Sequence, residues 1–223
     1  MYELLIFDWD DVFTLGSTRG YYACYHQAIE SVGIELSPEE EKRRIDSKWG
    51  SPHRVEIEAL LKEYSELIDR AVIEYEKALF SNVFIDELTL QPGSIELLNI
   101  VSKTHKLAIA SGINPKLLKE NIFRKFDIAN VFDEIVTTYD VAELKDETMC
   151  KPHPFSINLI RERLGVEAES TLMIGDAKND LLMAKSAGVK FTAVLTGHLS
   201  KDDATQLGAD YVLNDVSELM QIL

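Results

Sequence analysis

The chain has 223 residues, 46% of them hydrophobic, and a formal net charge of -15. Its size suits one large domain or a core domain carrying a smaller insertion, and with only 11 glycines, 6 prolines and no low-complexity tract a disordered chain is excluded. The acidity excludes nucleic acid polymers and anionic membranes as partners, since polyanions need a basic surface, but leaves room for a small anion in a local pocket.

In chain order, the first predicted strand is ELLIFD at 3–8. It runs into Asp8-Trp9-Asp10-Asp11, where three acids share four positions although like charges repel and each carboxylate resists dehydration. Residues from about 16 to 90 show no clear strand. They carry helical patterns instead: TRGYYACYHQAIESVG, then SPEEEKRRIDSKW with a capping box at Ser37 and Glu40, then a run from about Pro52 to Leu79. The acidic run Glu39 to Glu41 reads as a charged first helical turn, and QPG at 91–93 marks the return to the strand pattern.

From there strands and helices alternate. The strands are KLAIASG at 106–112, DEIVTT at 133–138, TLMIGD at 171–176, KFTAVLTG at 190–197 and ADYVL at 209–213. PFSINLIRERLG reads as a helix with Pro154 in its first turn, Ile157, Ile160 and Leu164 on one face, and Gly165 as its end; AKNDLLMAKSAG reads as another, ending at Gly188. The alternation predicts an α/β fold, a doubly wound, mostly parallel Rossmann-like sheet with an inserted α-helical cap. The expected division is a catalytic core of residues 1–15 and 91–223 and a cap of residues 16–90.

Ligands of open parallel sheets sit at the carboxyl ends of the strands. Those ends carry Asp8 and Asp10, then Ser111 and Gly112, then Asp176 with Asp180 four residues on, while Lys151 precedes the helix that leads into TLMIGD. Four carboxylates at one edge raise one another's pKa, and one lysine is too little to compensate them. An all-oxygen donor set with no paired His or Cys favours a hard divalent ion, and magnesium suits two or three carboxylate contacts plus substrate oxygens. A carboxylate beside such an ion, a lysine and a hydroxyl fits phosphoryl transfer: Asp8 attacks phosphorus, Asp10 on the same side of the strand moves protons, and Ser111, Gly112 and Lys151 bind phosphoryl oxygens. Trp9 points the other way, into packing.

These residues resemble the haloacid dehalogenase-like superfamily, in particular its helical-cap phosphatases of the phosphoglycolate phosphatase and β-phosphoglucomutase type. Its four motifs correspond in order to FDWDD with Asp8 and Asp10, to IASG with Ser111, to Lys151-Pro152-His153-Pro154, and to GDAKNDLLMAKSAG with Asp176 and Asp180. The resemblance spans nearly the whole chain and puts the helical insertion where that family carries its cap. It implies an aspartyl-phosphate on Asp8, Asp10 as acid/base, and Mg2+ held by Asp8, the backbone carbonyl of Asp10 and Asp176, with Asp180 as ligand or neighbour. An acid at position 10 argues against the dehalogenase branch. Two departures stand out. Asp11 occupies a usual glycine position, and Thr14-Leu15-Gly16-Ser17 replaces an acid followed by Ser or Thr. Asp tolerates a left-handed backbone, so the expectation is that the Asp11 amide still serves the phosphate while its carboxylate turns outward.

Plainer roles exist for each residue taken singly: a strand-end acid can be a turn residue, Ser111 an N-cap, Lys151 a solvated lysine, Asp180 a local cap. His153 and His198 read as turn or surface residues and Cys150 as filler. In the cap, KWGSPHR at 48–54 offers Trp49, His53 and Arg54 for the non-reacting part of a substrate, with a cap-to-core contact or a solvated loop as the alternatives. The expected activity is Mg-dependent hydrolysis of a small phosphorylated metabolite. The alternatives are a phosphomutase of the β-phosphoglucomutase type and, from another class, a non-catalytic phosphate-binding or regulatory protein. Two cysteines make no disulfide framework, no apolar run reaches a membrane span, and the opening residues lack a signal-peptide pattern, so a cytoplasmic protein is expected.

Overall fold

A computed structural model describes residues 2–128 and 131–223 of the chain. Met1, at the edge of the first expected core segment, and residues 129 and 130, inside the second, lie outside the described residues. The chain begins with strand β1 (Leu4–Phe7) and the short β2 (Thr14–Leu15). Helices α1 (Ser17–Ser31), α2 (Pro38–Asp46), α3 (His53–Leu60), α4 (Ile68–Leu79) and α5 (Asn82–Ile85) follow, and β3 (Thr89–Leu90) closes this part by pairing antiparallel with β2. Next come α6 (Ser94–Val101), β4 (Lys106–Ser111), a π-helical stretch Leu117–Ile122 running into α7 (Phe123–Lys125), β5 (Glu134–Thr137) and α8 (Thr138–Leu144). The last elements are α9 (Phe155–Leu164), β6 (Thr171–Gly175), α10 (Lys178–Ser186), β7 (Lys190–Val194), α11 (Lys201–Gln206) and β8 (Tyr211–Leu213).

The six-stranded sheet has the order β5-β4-β1-β6-β7-β8, and every neighbouring pair is parallel. The chain steps from β1 outward to β4 and β5, then returns to the other side of β1 for β6. The strand order therefore reverses beside β1, which opens a crevice at its carboxyl end. Both faces are covered. Leu5 and Phe7 face the layer that contains Leu97 and Leu98 of α6, while Leu4 and Ile6 face the layer that contains Ile157 of α9 and Leu181 of α10. Near-continuous apolar strands such as LAIA of β4 are what burial on both faces demands.

Two differences from the sequence reading concern residues 16–90. Thr89 and Leu90 form a strand, too short to carry a periodic signal, by pairing with Thr14 and Leu15. The run from Pro52 to Leu79 breaks into α3 and α4, because the backbone leaves helical geometry after Leu60, is extended in φ at Tyr64 (φ -134) and re-enters through a single 3-10 turn, Ser65–Leu67. At the start of the helical segment the chain passes close to its own return. Gly16 has φ 90, and a side chain there would collide with the carbonyl oxygen of Glu87, so the position needs a residue without Cβ. Gly165 ends α9 with φ 64, as its spacing predicts. Ser37 caps α2 by accepting from the Glu40 amide. Among the described residues no helix is long and apolar enough to cross a membrane.

Candidate active site

The alternation of β1 continues past its last residue. Trp9 falls on the Phe7 side and is fully buried, with ring centroids 5.1 Å from Phe13 and 5.3 Å from Phe123; Asp8 and Asp10 fall on the other side and line a cavity at the sheet edge. The Asp8 amide donates to the Ile174 carbonyl at 2.9 Å, which ties this turn to β6. Asp8 Oδ1 accepts from the Trp9 amide at 2.8 Å and lies 3.1 Å from Lys151 Nζ. Asp10 Oδ2 accepts from the Tyr21 hydroxyl at 3.0 Å, while its buried Oδ1 has no hydrogen-bond partner among the described residues. Burial, with Asp8 beside it, pushes the Asp10 carboxyl up to about 7, where a group can both give and take a proton near neutral pH.

Lys151 follows a single 3-10 turn, Glu147–Met149, after α8 and precedes the Pro-His-Pro entry to α9. Its Nζ donates to Asp180 Oδ1 at 2.6 Å, and Asp180 Oδ2 accepts from the Ala177 amide at 3.2 Å. Burial works against the lysine charge, yet Asp180 and Asp8 outweigh it and hold the ammonium above the usual lysine value. Burial also lifts Asp180 to about 6, despite the opposing pull of Lys151. Both Asp180 oxygens are thus engaged, one orienting Lys151 and the other closing the first turn of α10. His153 accepts from the Phe155 amide at 3.2 Å, a turn role, and Cys150 is a buried thiol whose pKa burial pushes up to about 11.

Asp176 lies at the end of β6 and is 2% exposed. Its Oδ2 accepts from the His198 amide at 3.1 Å, and burial, then the charges of Asp180 and Asp8, push its carboxyl well above the ordinary range. The loop after β7 reaches this carboxylate only because position 197 is glycine, since a Cβ there would overlap the Asp176 carboxyl. Carboxylate oxygens of Asp8, Asp176 and Asp180 lie within 4.8 Å of one another. Three buried acids held that close, with one ammonium among them, leave negative charge uncompensated, and an all-oxygen donor set of this kind fits a divalent magnesium ion. Ser111 ends β4, 3% exposed, and lines the cavity with Gly112 while its Oγ accepts from the Ile113 amide at 3.3 Å. Capping the turn and facing the cavity are therefore compatible roles for Ser111.

Asp11 differs from its expectation in two respects. Its backbone is left-handed, φ 55, as expected of an Asp in a glycine position, but that turn folds the chain back so that the Asp11 amide donates to the Thr14 carbonyl at 2.7 Å and is not free for a phosphate. Its carboxylate turns inward. It is 9% exposed, accepts from the Thr18 hydroxyl at 2.9 Å, and brings an oxygen within 4.8 Å of ligand atoms of Asp176 and His198. Thr18 belongs to the first turn of α1, so the acid that stands in for glycine bridges the sheet edge to the helical segment.

Of the three residues picked from 48–54, Trp49 and His53 line the cavity and Arg54 does not. Arg54 is one position round from His53 on α3, which turns it about 100° away, and it pairs outside with Asp69 at 2.7 Å and Glu58 at 3.3 Å. Glu56, three positions after His53, shares its face and does line the cavity. The His53, Glu56, Ile57, Leu60 stripe of α3 was the available signal for it. Tyr21 and Tyr25 of α1, Tyr75 of α4 and Tyr139 of α8 complete this wall, and His198 joins it from the loop after β7, its ring 6.0 Å from Trp49. His53 Nδ1 and the Tyr139 hydroxyl are 2.8 Å apart, a hydrogen bond between the helical segment and the sheet side.

The chain resembles known proteins over most of its length. The model of the haloacid dehalogenase-like hydrolase family matches residues 2–188. A phosphorylated carbohydrates phosphatase of Thermotoga maritima is 32% identical over 194 residues, which cover 84% of this chain and 82% of that protein. The pyrophosphatase PpaX of Halalkalibacterium halodurans is 26% identical over 197 residues, 88% of this chain and 79% of that protein. The solved structure of a candidate β-phosphoglucomutase from Thermotoga maritima has a TM-score of 0.73 and 27% identity, covering 99% of this chain and 100% of its own. On the family match over residues 2–188 and a 32% identical relative that spans most of both chains, this chain belongs to the haloacid dehalogenase-like hydrolase family.

Proposed function

We propose that the chain is a magnesium-dependent phosphatase that hydrolyses a small phosphate monoester through an aspartyl-phosphate on Asp8, with residues 16–90 acting as a cap over residues 1–15 and 91–223. The observation that carries this reading is the convergence of Asp8, Asp10, Ser111, Lys151, Asp176 and Asp180 on one cavity at the reversal point of the sheet. Relatives named as phosphatases support the same chemistry.

Asp8 supplies the nucleophilic oxygen, and its Oδ1 lies 3.1 Å from Lys151 Nζ. Lys151 and the Ser111 hydroxyl hold phosphoryl oxygens as the bond to the leaving alcohol breaks. Asp10, pushed up to about 7, gives its proton to that alcohol and then takes one from the water that attacks the acyl phosphate. Tyr21, from the helical segment, holds the Asp10 carboxyl at 3.0 Å through both half-reactions. Asp8, Asp176 and the Asp10 backbone carbonyl are the proposed magnesium ligands, and Asp180 holds Lys151 in place beside them. When bound, magnesium neutralises phosphoryl oxygens and offsets the crowded carboxylates.

Hydrolysis of an aryl phosphate, assayed with magnesium and again after chelation, tests the reading. Turnover that disappears on chelation and returns with added magnesium is the expected result. Turnover insensitive to chelation overturns the metal role, and no release of phosphate from any ester, or isomerisation of a hexose 1-phosphate without release, overturns the phosphatase assignment.

A further inference from the structure

We infer that Glu56 makes the cavity selective for phosphate esters of alcohols that carry no second negative charge, so that the leaving group is a neutral hydroxylated alcohol or an amino alcohol. The inference rests on the phosphatase reading and deepens it, because the wall around Glu56 faces the part of a substrate that does not react.

Glu56 is 6% exposed. The Tyr25 hydroxyl donates to its Oε2 and the Gly50 amide to its Oε1, the latter at 3.0 Å, and no cation pairs with it among the described residues. Around it stand the rings of Tyr25, Tyr75 and Trp49, with His53 stacked 5.1 Å from Tyr75. No lysine or arginine of the helical segment lines the cavity among the described residues, and Lys42, Arg44 and Arg54 pair elsewhere, with Asp46, with Glu40 and Glu63, and with Asp69. Burial, only partly offset by Glu76, keeps the His53 imidazole below the usual histidine value, so it adds no dependable positive charge at neutral pH. Lys151 is the one lysine or arginine lining the cavity among the described residues, and it is already shared by Asp8 and Asp180.

A leaving group with a carboxylate or a second phosphate would be desolvated against a buried carboxyl and the negative faces of aromatic rings, with no lysine or arginine on that wall among the described residues to receive it. A hydroxyl or an ammonium meets the opposite situation. Either donates to Glu56, and an ammonium gains further over the ring faces. Burial pushes the Glu56 carboxyl up to about 8, so at neutral pH it is mostly protonated and donates to a hydroxyl, while above that value it is ionised, pairs with an ammonium and repels a second anion.

The test measures kcat/KM at about pH 9, where Glu56 is ionised, with magnesium present, for glycerol 2-phosphate, phosphoethanolamine and phosphoglycolate, with an aryl phosphate as reference, on the wild type and on Glu56→Gln. The wild type is expected to favour the neutral and amino esters over the anionic one by at least about tenfold, and Glu56→Gln to narrow that gap by about tenfold through a gain on phosphoglycolate. The wild-type panel decides the selectivity by itself if the variant fails to fold. Aryl phosphate turnover combined with equal or better use of phosphoglycolate overturns this inference alone, as does an unchanged preference in a folded Glu56→Gln. No turnover of any ester, aryl phosphate included, overturns the phosphatase reading and takes this inference with it.

Discussion

The two walls of the cavity handle charge in opposite ways. The sheet edge packs Asp8, Asp10, Asp11, Asp176 and Asp180 around a single ammonium, whereas the wall from the helical segment places one carboxyl, Glu56, among aromatic rings. At the sheet edge, burial raises the carboxyl pKa values of Asp10, Asp11, Asp176 and Asp180, with Asp10 at about 7 and Asp180 at about 6. Such crowding is unfavourable for folding and is retained where developing charge has to be met by fixed groups. On the opposite wall the same penalty falls on a single side chain, which can select but has no neighbours with which to share chemistry. Under the proposed function, the sheet edge carries out the reaction and the helical wall selects the substrate.

The harshest test of that division is Asp8→Asn. It keeps shape and hydrogen-bonding capacity near Lys151 while removing the nucleophilic oxygen, so turnover should fall on the order of 10⁴-fold or more, with the fold intact by circular dichroism. Full activity in this variant would sink the nucleophile assignment and with it the split between the walls. Next in size is Lys151→Met. It leaves the Asp8 and Asp180 carboxylates, both nearly buried, facing each other without their shared partner, and should cost about 3–5 kcal/mol in urea unfolding as well as abolish turnover. A stability loss below about 1 kcal/mol would mean that the cost of burying the lysine offsets its attraction to these carboxylates.

How far the sequence anticipated each wall follows from the kind of pattern each one uses. The sheet edge is built from residues at strand ends, and strands such as LAIA and TLMIG announce themselves by composition, so the acids that follow them could be located before any coordinates. Their placement at one edge followed from the alternation of strands and helices. Contacts made by chain folding alone were not legible: that the Asp11 turn would spend its amide on Thr14, that its carboxylate would find Thr18, and that Gly197 would bring the loop after β7 onto Asp176. The other wall draws one or two residues from each of α1, α3, α4 and α8. Singly, each tyrosine there has the look of core filling, and only helical phase could separate Glu56, facing in, from Arg54, facing out.

That single acid sharpens the comparison through pH. The Glu56 carboxyl sits at about 8 in the folded protein against 4.5 ordinarily. Between those values the unfolded chain has released a proton that the folded protein keeps, so stability falls as pH rises from about 4.5 to about 8. Glu56→Gln cannot titrate. Its stability relative to wild type should therefore improve between pH 5 and pH 8, by up to a few kcal/mol in urea unfolding. Parallel pH profiles for the two proteins would show that Glu56 is ionised without penalty and that this wall holds no desolvated acid.

The smallest expected effect belongs to Asp11, which touches both walls. Asp11→Gly relieves a left-handed backbone, worth about 1–2 kcal/mol, and gives up the hydrogen bond from Thr18, worth about 1 kcal/mol, so unfolding free energy should change by no more than about 1 kcal/mol. The change should show in metal dependence. Removing one carboxylate from the group that includes Asp176 lowers the negative potential there, and the magnesium concentration for half-maximal turnover should rise about two- to fivefold. Turnover at saturating magnesium should change less than that midpoint does. A larger loss at saturation would move Asp11 from the frame of the site into its chemistry, and an unchanged midpoint would show that its inward carboxylate serves only to fasten α1 to the sheet edge.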